Sequence, residues 1–322
     1  MKKVCFFSMK NIIAIFLMLS PSIAFATKSE INVQGRRFVV VGPNSRPTQK
    51  RPLLLLLHGC KQNPEIILEG TRLDQVAVSK NFYILAPEQS VFENYDHCWN
   101  WFLASEQKRA PMNQMAQMVA AIEVMIQAAQ VDPNQIYLAG MSAGGAMGHN
   151  LASCYPDVFR GAALSAGLAF KIAEDLYEAS TVLQSHHFKS PNYLGKAAYN
   201  CGRLSGKRRL DKMVLVHGEE DKRVDPFHSR LISDVNEVTL DYYDDGRKNN
   251  SAKFTTVETA RDYNDNFGVT IQEKRYQTVN FTERLIMVKG MAHAWGGGKP
   301  ISINFDPKAP STNEFILNFF QL

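Results

Sequence analysis

A chain of 322 residues is long enough for one large α/β domain or two small ones, and 45% hydrophobic residues is the content of a soluble globular protein with a real core. Three lysines in the first ten residues carry more than half of the formal net charge of +5. The +2 that remains excludes the electrostatic footprint of a nucleic-acid binder, and the compact basic cluster Lys207-Arg208-Arg209 reads as a solvated loop.

Lys2, Lys3 and Lys10 precede an apolar run over residues 12–19, and Ala24-Phe25-Ala26 supplies a small-x-small cleavage site. Residues 1–26 therefore read as a secretory signal peptide. The run is too short to span a bilayer and Pro21 sits beside its end, so no stable membrane anchor is expected. Residues 27–322 read as a single secreted domain, extracellular or periplasmic. Four cysteines remain in it, Cys60, Cys98, Cys154 and Cys201, and an even number in an exported chain suggests two disulfides, in any of three pairings. No pair has Cys-x-x-Cys spacing and no histidine cluster accompanies them, so neither a metal nor a cofactor is expected.

Residues 31–33 and 37–41 alternate or run apolar as a hairpin does. Arg51-Pro52 then leads into five consecutive leucines, residues 53–57, which predict a strand buried on both faces. It ends in His58-Gly59-Cys60-Lys61-Gln62, a turn at the carboxyl end of a central strand, where α/β sheets place their ligand loops. A helix is expected over 65–79 and a strand over 82–86. Residues 90–111 are irregular and aromatic, with Phe92, Tyr95, Trp99, Trp101 and Phe102 read as a packing cluster stapled by Cys98, a substrate platform being the other reading. Over 113–130, Met118, Ala121, Ile122, Met125 and Ile126 share one helical face. Asp132-Pro133 breaks the chain before the next strand.

That strand runs into Ile136-Tyr-Leu-Ala-Gly140-Met-Ser142-Ala-Gly144-Gly145, an apolar β-run, then Gly-x-Ser-x-Gly, then a small-residue helix start. In that context the motif is a nucleophile elbow: a tight strand-to-helix turn lifts the serine hydroxyl above the sheet, and its neighbours two residues away must be tiny. Ser165, in the strand over 159–165, lacks the upstream glycine and ranks far below Ser142. Residues 168–210 break the β-α rhythm and read as an insertion over the carboxyl ends of the strands, a cap or rim tied down through Cys201. Within it, His186-His187 read as surface polar residues. A strand over 213–216 ends in His217-Gly218-Glu219-Glu220-Asp221, and a helix covers 226–238. Residues 240–265 are polar, with turns at Asp244-Asp245-Gly246 and Asn249-Asn250. Strands are expected over 269–275 and 285–288, and a closing helix over 312–320. The alternation predicts an α/β fold with a mostly parallel central sheet and helices on both faces.

A serine on such a sheet needs a late histidine to take its proton and a carboxylate to orient that histidine, in the chain order Ser, acid, His. His293 follows the 285–288 strand in a glycine-rich turn and is the base. The acid comes from Glu219, Glu220, Asp221 and Asp225, with Asp221 favoured because Asp225 precedes Pro226 as a helix cap does. The oxyanion donors are the backbone N–H of Ala143 and that of Cys60 or its neighbour.

His58-Gly59-Cys60-Lys61-Gln62, Cys98-Trp99-Asn100-Trp101-Phe102, Gly140-Met-Ser142-Ala-Gly-Gly-Ala-Met147, Tyr155-Pro-Asp-Val-Phe159, His217-Gly-x-x-Asp221-x-x-Val224 and His293-Ala-Trp295-x-Gly-Gly298 stand in one order along the chain. As a set they resemble the polyhydroxybutyrate depolymerase family of esterases, which also includes feruloyl and acetylxylan esterases. The resemblance implies an α/β-hydrolase fold with Ser142 as nucleophile, Asp221 as acid, His293 as base and the Cys60 N–H in the oxyanion hole. It also implies a Cys60–Cys98 disulfide, with Cys154 and Cys201 as the remaining pair. Trp295 is placed to line the acyl pocket, with packing in the core as the other reading. Lys61 and Gly296 depart from the family pattern, at positions expected on the rim. The implied activity is hydrolysis of a short-chain polyhydroxyalkanoate polyester, with feruloyl or acetylxylan esters as the alternative; a non-catalytic secreted binding protein on the same fold is the reading of a different class.

Overall fold

The computed structural model describes residues 28–43, 48–185 and 189–322; the expected signal peptide and the His186-His187 pair lie outside the described residues. The five leucines form most of β3 (Arg51–Leu57), and each is 0% exposed. Leu53, Leu55 and Leu57 enter one apolar cluster, Leu54 and Leu56 the other, so the pleat of a single strand feeds both faces of the sheet. Parallel neighbours flank it, β4 (Tyr83–Pro87) on one side and β5 (Val131–Met141) on the other. The parallel set continues through β6 (Gly161–Ser165), β7 (Lys212–Gly218) and β10 (Phe281–Lys289). Antiparallel strands finish both edges: β2 (Arg36–Val41) and β1 (Lys28–Val33) beyond β4, and β9 (Phe267–Tyr276) and β8 (Phe254–Asn264) beyond β10. Among the described residues these ten strands make one sheet, in the order β1-β2-β4-β3-β5-β6-β7-β10-β9-β8.

One face carries α3 (Gln114–Ala128), α4 (Ala143–Cys154), α6 (Pro191–Gly202) and α7 (Phe227–Asp245); the other carries α1 (Pro64–Thr71), α2 (Leu73–Lys80) and α8 (Thr312–Phe320). Replacing Leu55 by alanine opens a cavity against both flanking strands. The expected cost is about 3 kcal/mol, read as a lower urea midpoint at unchanged slope.

Several sequence expectations need correction. The helix over 65–79 is two helices, because Arg72 takes a left-handed φ of 57° and ends α1 with its N–H on Glu69 O. Asp132-Pro133 lies within β5, as a bulge between the pairs Val131↔Arg51 and Ile136↔Leu53. The Asp244-Asp245 turn is the last turn of α7, which ends one residue later on Gly246 at φ 84°. Part of the polar stretch is β8, a solvent-facing edge strand. Arg208 is not a loop cation: its guanidinium turns inward over the rings of Phe281 and Tyr243, at 5.0 and 5.5 Å.

The insertion divides. A short helix, α5 (Leu176–Val182), stands at the carboxyl ends of the strands, where Leu176, Ala179 and Ser180 line a cleft. The second half, α6, packs on α7 and is joined by the Cys154–Cys201 disulfide to the far end of α4. Cys201 therefore anchors a helix to one face of the sheet, not a rim to the cleft.

Candidate active site

Ser142 sits between the last residue of β5 and the first of α4, at φ 57° and ψ −120°. A non-glycine residue holds such backbone only when its surroundings leave no alternative. Here its N–H is tied to Ser165 O on β6 at 2.8 Å. The two motif glycines are steric necessities. A Cβ on Gly140 would lie 2.3 Å from Gly144 O, and one on Gly144 would lie 2.4 Å from Leu57 O and 2.6 Å from His58 O. β5, α4 and the end of β3 thus meet backbone to backbone, and the serine is carried at their junction.

The turn after β3 lies beside it. Gly59 N–H donates to Gln62 Oε1 at 2.9 Å, and Cys60 is disulfide-bonded to Cys98. Trp99 Nε1 donates to His58 O at 2.9 Å. His58 Nε2 accepts from the Gln89 N–H at 3.2 Å, so Nδ1 carries the proton and donates to Gly59 O at 2.8 Å. Gln89 in turn donates to Cys98 O and accepts from Arg36, a buried guanidinium paired with Glu93 at 2.7 Å. This buried polar brace fixes the loop that presents the Cys60 N–H. Among the described residues neither that N–H nor the Ala143 N–H has a protein acceptor, and both residues line the cleft.

The carboxyl end of β7 interlocks with the loop after β10. A Cβ on Gly218 would lie 2.1 Å from Met291 O, and the Glu220 N–H donates to Met291 O at 3.0 Å. That contact brings Asp221 to His293: Nδ1 of the histidine lies 2.6 Å from Asp221 Oδ2. The other oxygen, Oδ1, accepts the N–H groups of Arg223 and Val224 at 2.8 and 3.0 Å. Burial pushes the Asp221 carboxyl up, but donors from His217 and His293 outweigh it and hold the group well below the usual carboxylate range. Of the four acidic candidates only Asp221 makes this contact. Asp225 Oδ1 accepts from the Phe227 N–H at the start of α7, as a capping residue does.

Ser142, Ala143, Cys60 and His293 open onto one cleft of about 500 Å³, within the range of small-ligand sites. Its walls are largely apolar, with Trp101, Phe102, Leu168, Leu176 and Leu183. Trp295 does not reach it. The indole is 0% exposed in the opposite core and donates from Nε1 to Asn313 Oδ1 at 3.0 Å, so it packs where an acyl-pocket wall was expected. Gly296 is likewise buried against Pro310 O rather than on the rim, whereas the Lys61 side chain is exposed. Phe92 and Tyr95 of the aromatic loop stand in solvent; Trp99, Trp101 and Phe102 are buried. Among the described residues no three His, Cys, Asp or Glu side chains are grouped as a metal site requires, and no helix is long and apolar enough to cross a membrane.

His58, His149 and His228 are buried and do not line the cleft, and burial pushes each down to about 4. The unfolded chain binds protons at these rings below its value of 6.5, while the native state does not. Stability therefore falls as pH drops from 6.5 towards 4. Thermal melts across that interval are expected to show a steep decline, and a single His149→Gln substitution a shallower one.

The chain matches the family model described as Esterase PHB depolymerase over residues 38–302. Poly(3-hydroxyalkanoate) depolymerase C of Paucimonas lemoignei is 31% identical over 185 residues, 57% of this chain and 44% of that protein. Poly(3-hydroxybutyrate) depolymerase of Ralstonia pickettii is 28% identical over 271 residues, 80% of this chain and 51% of that protein. Feruloyl esterase B of Thermothelomyces thermophilus is 27% identical over 188 residues, 54% of this chain and 60% of that protein. The chain spans about half the length of the curated relatives it matches. An acetyl xylan esterase from Aspergillus awamori has a TM-score of 0.71 at 14% identity, covering 92% of this chain and 99% of that one, which makes the fold that of the α/β-hydrolase esterases.

Proposed function

We infer, since the chain belongs to the PHB depolymerase family of esterases, that it is a secreted serine hydrolase of carboxylic esters. The observation that carries this reading is the His293 Nδ1 to Asp221 Oδ2 contact of 2.6 Å, with His293 and Ser142 walling the same cleft. Ser142 Oγ attacks the ester carbonyl as His293 Nε2 takes its proton, and the Ala143 and Cys60 N–H groups receive the oxyanion. His293 then protonates the leaving alcohol. Water, deprotonated by the same nitrogen, releases the acid from the acyl-serine. Asp221 stays ionised throughout and holds the imidazole with its proton on Nδ1.

The substrate we propose is a short-chain polyhydroxyalkanoate. An apolar cleft suits an aliphatic polyester, and two of the relatives are named as depolymerases of such polymers. A feruloyl ester is the second reading, favoured by the aromatic wall of Trp101 and Phe102 and by the match to a feruloyl esterase. Secretion is supported by two disulfides, which persist in oxidising compartments.

The test sets a polyhydroxybutyrate suspension beside methyl ferulate and p-nitrophenyl butyrate, with a fluorophosphonate probe on the same protein. Clearing of the suspension and labelling at Ser142 are expected. Turnover of soluble esters alone moves the function to a small-ester or plant-wall esterase. An unlabelled, inert protein makes it a binding protein on a hydrolase fold.

A further inference from the structure

We propose that His217 is a positioning residue of this site: as a second imidazole donor it clamps the Asp221 carboxylate in place for His293, and Ser229 fixes the tautomer that lets it do so. The inference rests on the reading of Ser142, Asp221 and His293 as the triad.

His217 lies near the end of β7 with its side chain fully buried. Its Nε2 is 3.0 Å from Val224 O and 3.2 Å from Asp221 Oδ2. A carbonyl and an ionised carboxylate can only accept, so Nε2 carries a proton. Nδ1 is 2.7 Å from Oγ of Ser229, a buried residue on α7. With the hydroxyl donating to Nδ1, the ring keeps one N–H, on Nε2, shared between Val224 O and the acid. Asp221 Oδ2 thus lies between two imidazoles, 2.6 Å from His293 Nδ1 and 3.2 Å from His217 Nε2, whose N–H it shares with Val224 O, while Oδ1 receives two backbone N–H groups. Val224 closes the arrangement: its N–H binds Oδ1 and its carbonyl binds the histidine that holds Oδ2.

Such a carboxylate cannot rotate without breaking several hydrogen bonds at once, and its charge is shared between two rings. The sharing matters for the base. With His217 removed, the carboxylate is a stronger acceptor for the His293 Nδ1–H, and the protonated ring is favoured. His293 then becomes a free base only at higher pH. The other titratable groups facing this cluster are His228 on α7, kept neutral by burial, and Asp225 at the start of that helix. The Arg223 guanidinium reaches instead to Asn304 Oδ1 at 3.4 Å.

Profiles of kcat and kcat/KM against pH on p-nitrophenyl butyrate test this for wild type, His217→Leu, His217→Gln and Ser229→Ala. In the leucine variant kcat is expected to fall at least about tenfold at unchanged KM, with the acid limb of kcat/KM moved up by roughly half a pH unit or more. Glutamine, whose amide N–H reaches the same oxygen, restores most of the activity and returns the limb. Ser229→Ala moves the limb in the same direction by less. A folded leucine variant with an unmoved acid limb overturns the proposal, even if kcat has dropped, because a purely structural loss lowers activity without shifting the profile. If the leucine variant does not fold, Ser229→Ala decides, and an unmoved limb there overturns it. Failure of the triad reading is distinct: the wild-type protein then escapes the fluorophosphonate label.

Discussion

Ser142→Ala is expected to abolish turnover of p-nitrophenyl butyrate, by about a million-fold in kcat, while the melting temperature stays at the wild-type value. The geometry argues for both halves. The serine hydroxyl is not used to hold the fold, since the turn is secured by its N–H on Ser165 O and by close backbone approach at Gly140 and Gly144. Alanine inherits the same φ and the same strain. The Ala143 and Cys60 N–H groups remain, so the variant still takes up ester and KM changes little. Activity within tenfold of wild type would remove Ser142 from the mechanism.

Gly144→Ala is expected to cost about 4 kcal/mol or to abolish folding outright. Its Cβ would meet two carbonyl oxygens, those of Leu57 and His58, at 2.4 and 2.6 Å. Neither can retreat. Leu57 ends a strand paired on both sides, and His58 is pinned through its ring by Gln89 and through its carbonyl by Trp99. Gly206→Ala is the control: φ is +66° there, but nothing lies within 4 Å of the added carbon, so only the backbone conformation is penalised, by about 1 kcal/mol. Urea unfolding of the two variants separates the clash from the strain. A Gly144→Ala protein within 1 kcal/mol of wild type is incompatible with the elbow described.

What the sequence made legible was whatever a single residue type or a local period dictates. Five leucines without alternation admit one environment, and a serine between two spaced glycines, after a strand and before a helix, admits few others. Capping chemistry narrows the acidic candidates, because a residue before Pro226 has a local use as a helix cap. What stayed hidden depends on partners distant in the chain. His217 reads as a strand-end histidine until Asp221 folds back on it and α7 brings Ser229 to its other nitrogen. Arg36 and Gln89 brace the loop that carries Cys60 across more than fifty residues, with no motif to mark them. β8 is missed because an exposed edge strand need bury nothing, so its residues carry no apolar period. Trp295 follows His293 by two residues, which leaves pocket and core both open in the sequence; the loop turns between them, and two residues suffice to pass from the cleft to the opposite core.

The order of the strands also governs how this chain comes into being. Both neighbours of β3 come later in the chain: β4 begins 26 residues after Leu57, and β5 reaches its pairing stretch with the leucines at Ile136, about 80 residues on. At elongation rates of about 5–20 residues per second, the leucine run waits roughly 4–16 s for its second partner. Uncharged, rich in one apolar residue and free of proline inside the run, residues 53–57 make an adhesive segment during that wait. Lys50 and Arg51 at its head and Lys61 just past its end act as gatekeepers, their charges hindering the run from pairing with a copy of itself. The strand that supports the site in the finished molecule is thus the one most in need of protection while the chain is being made.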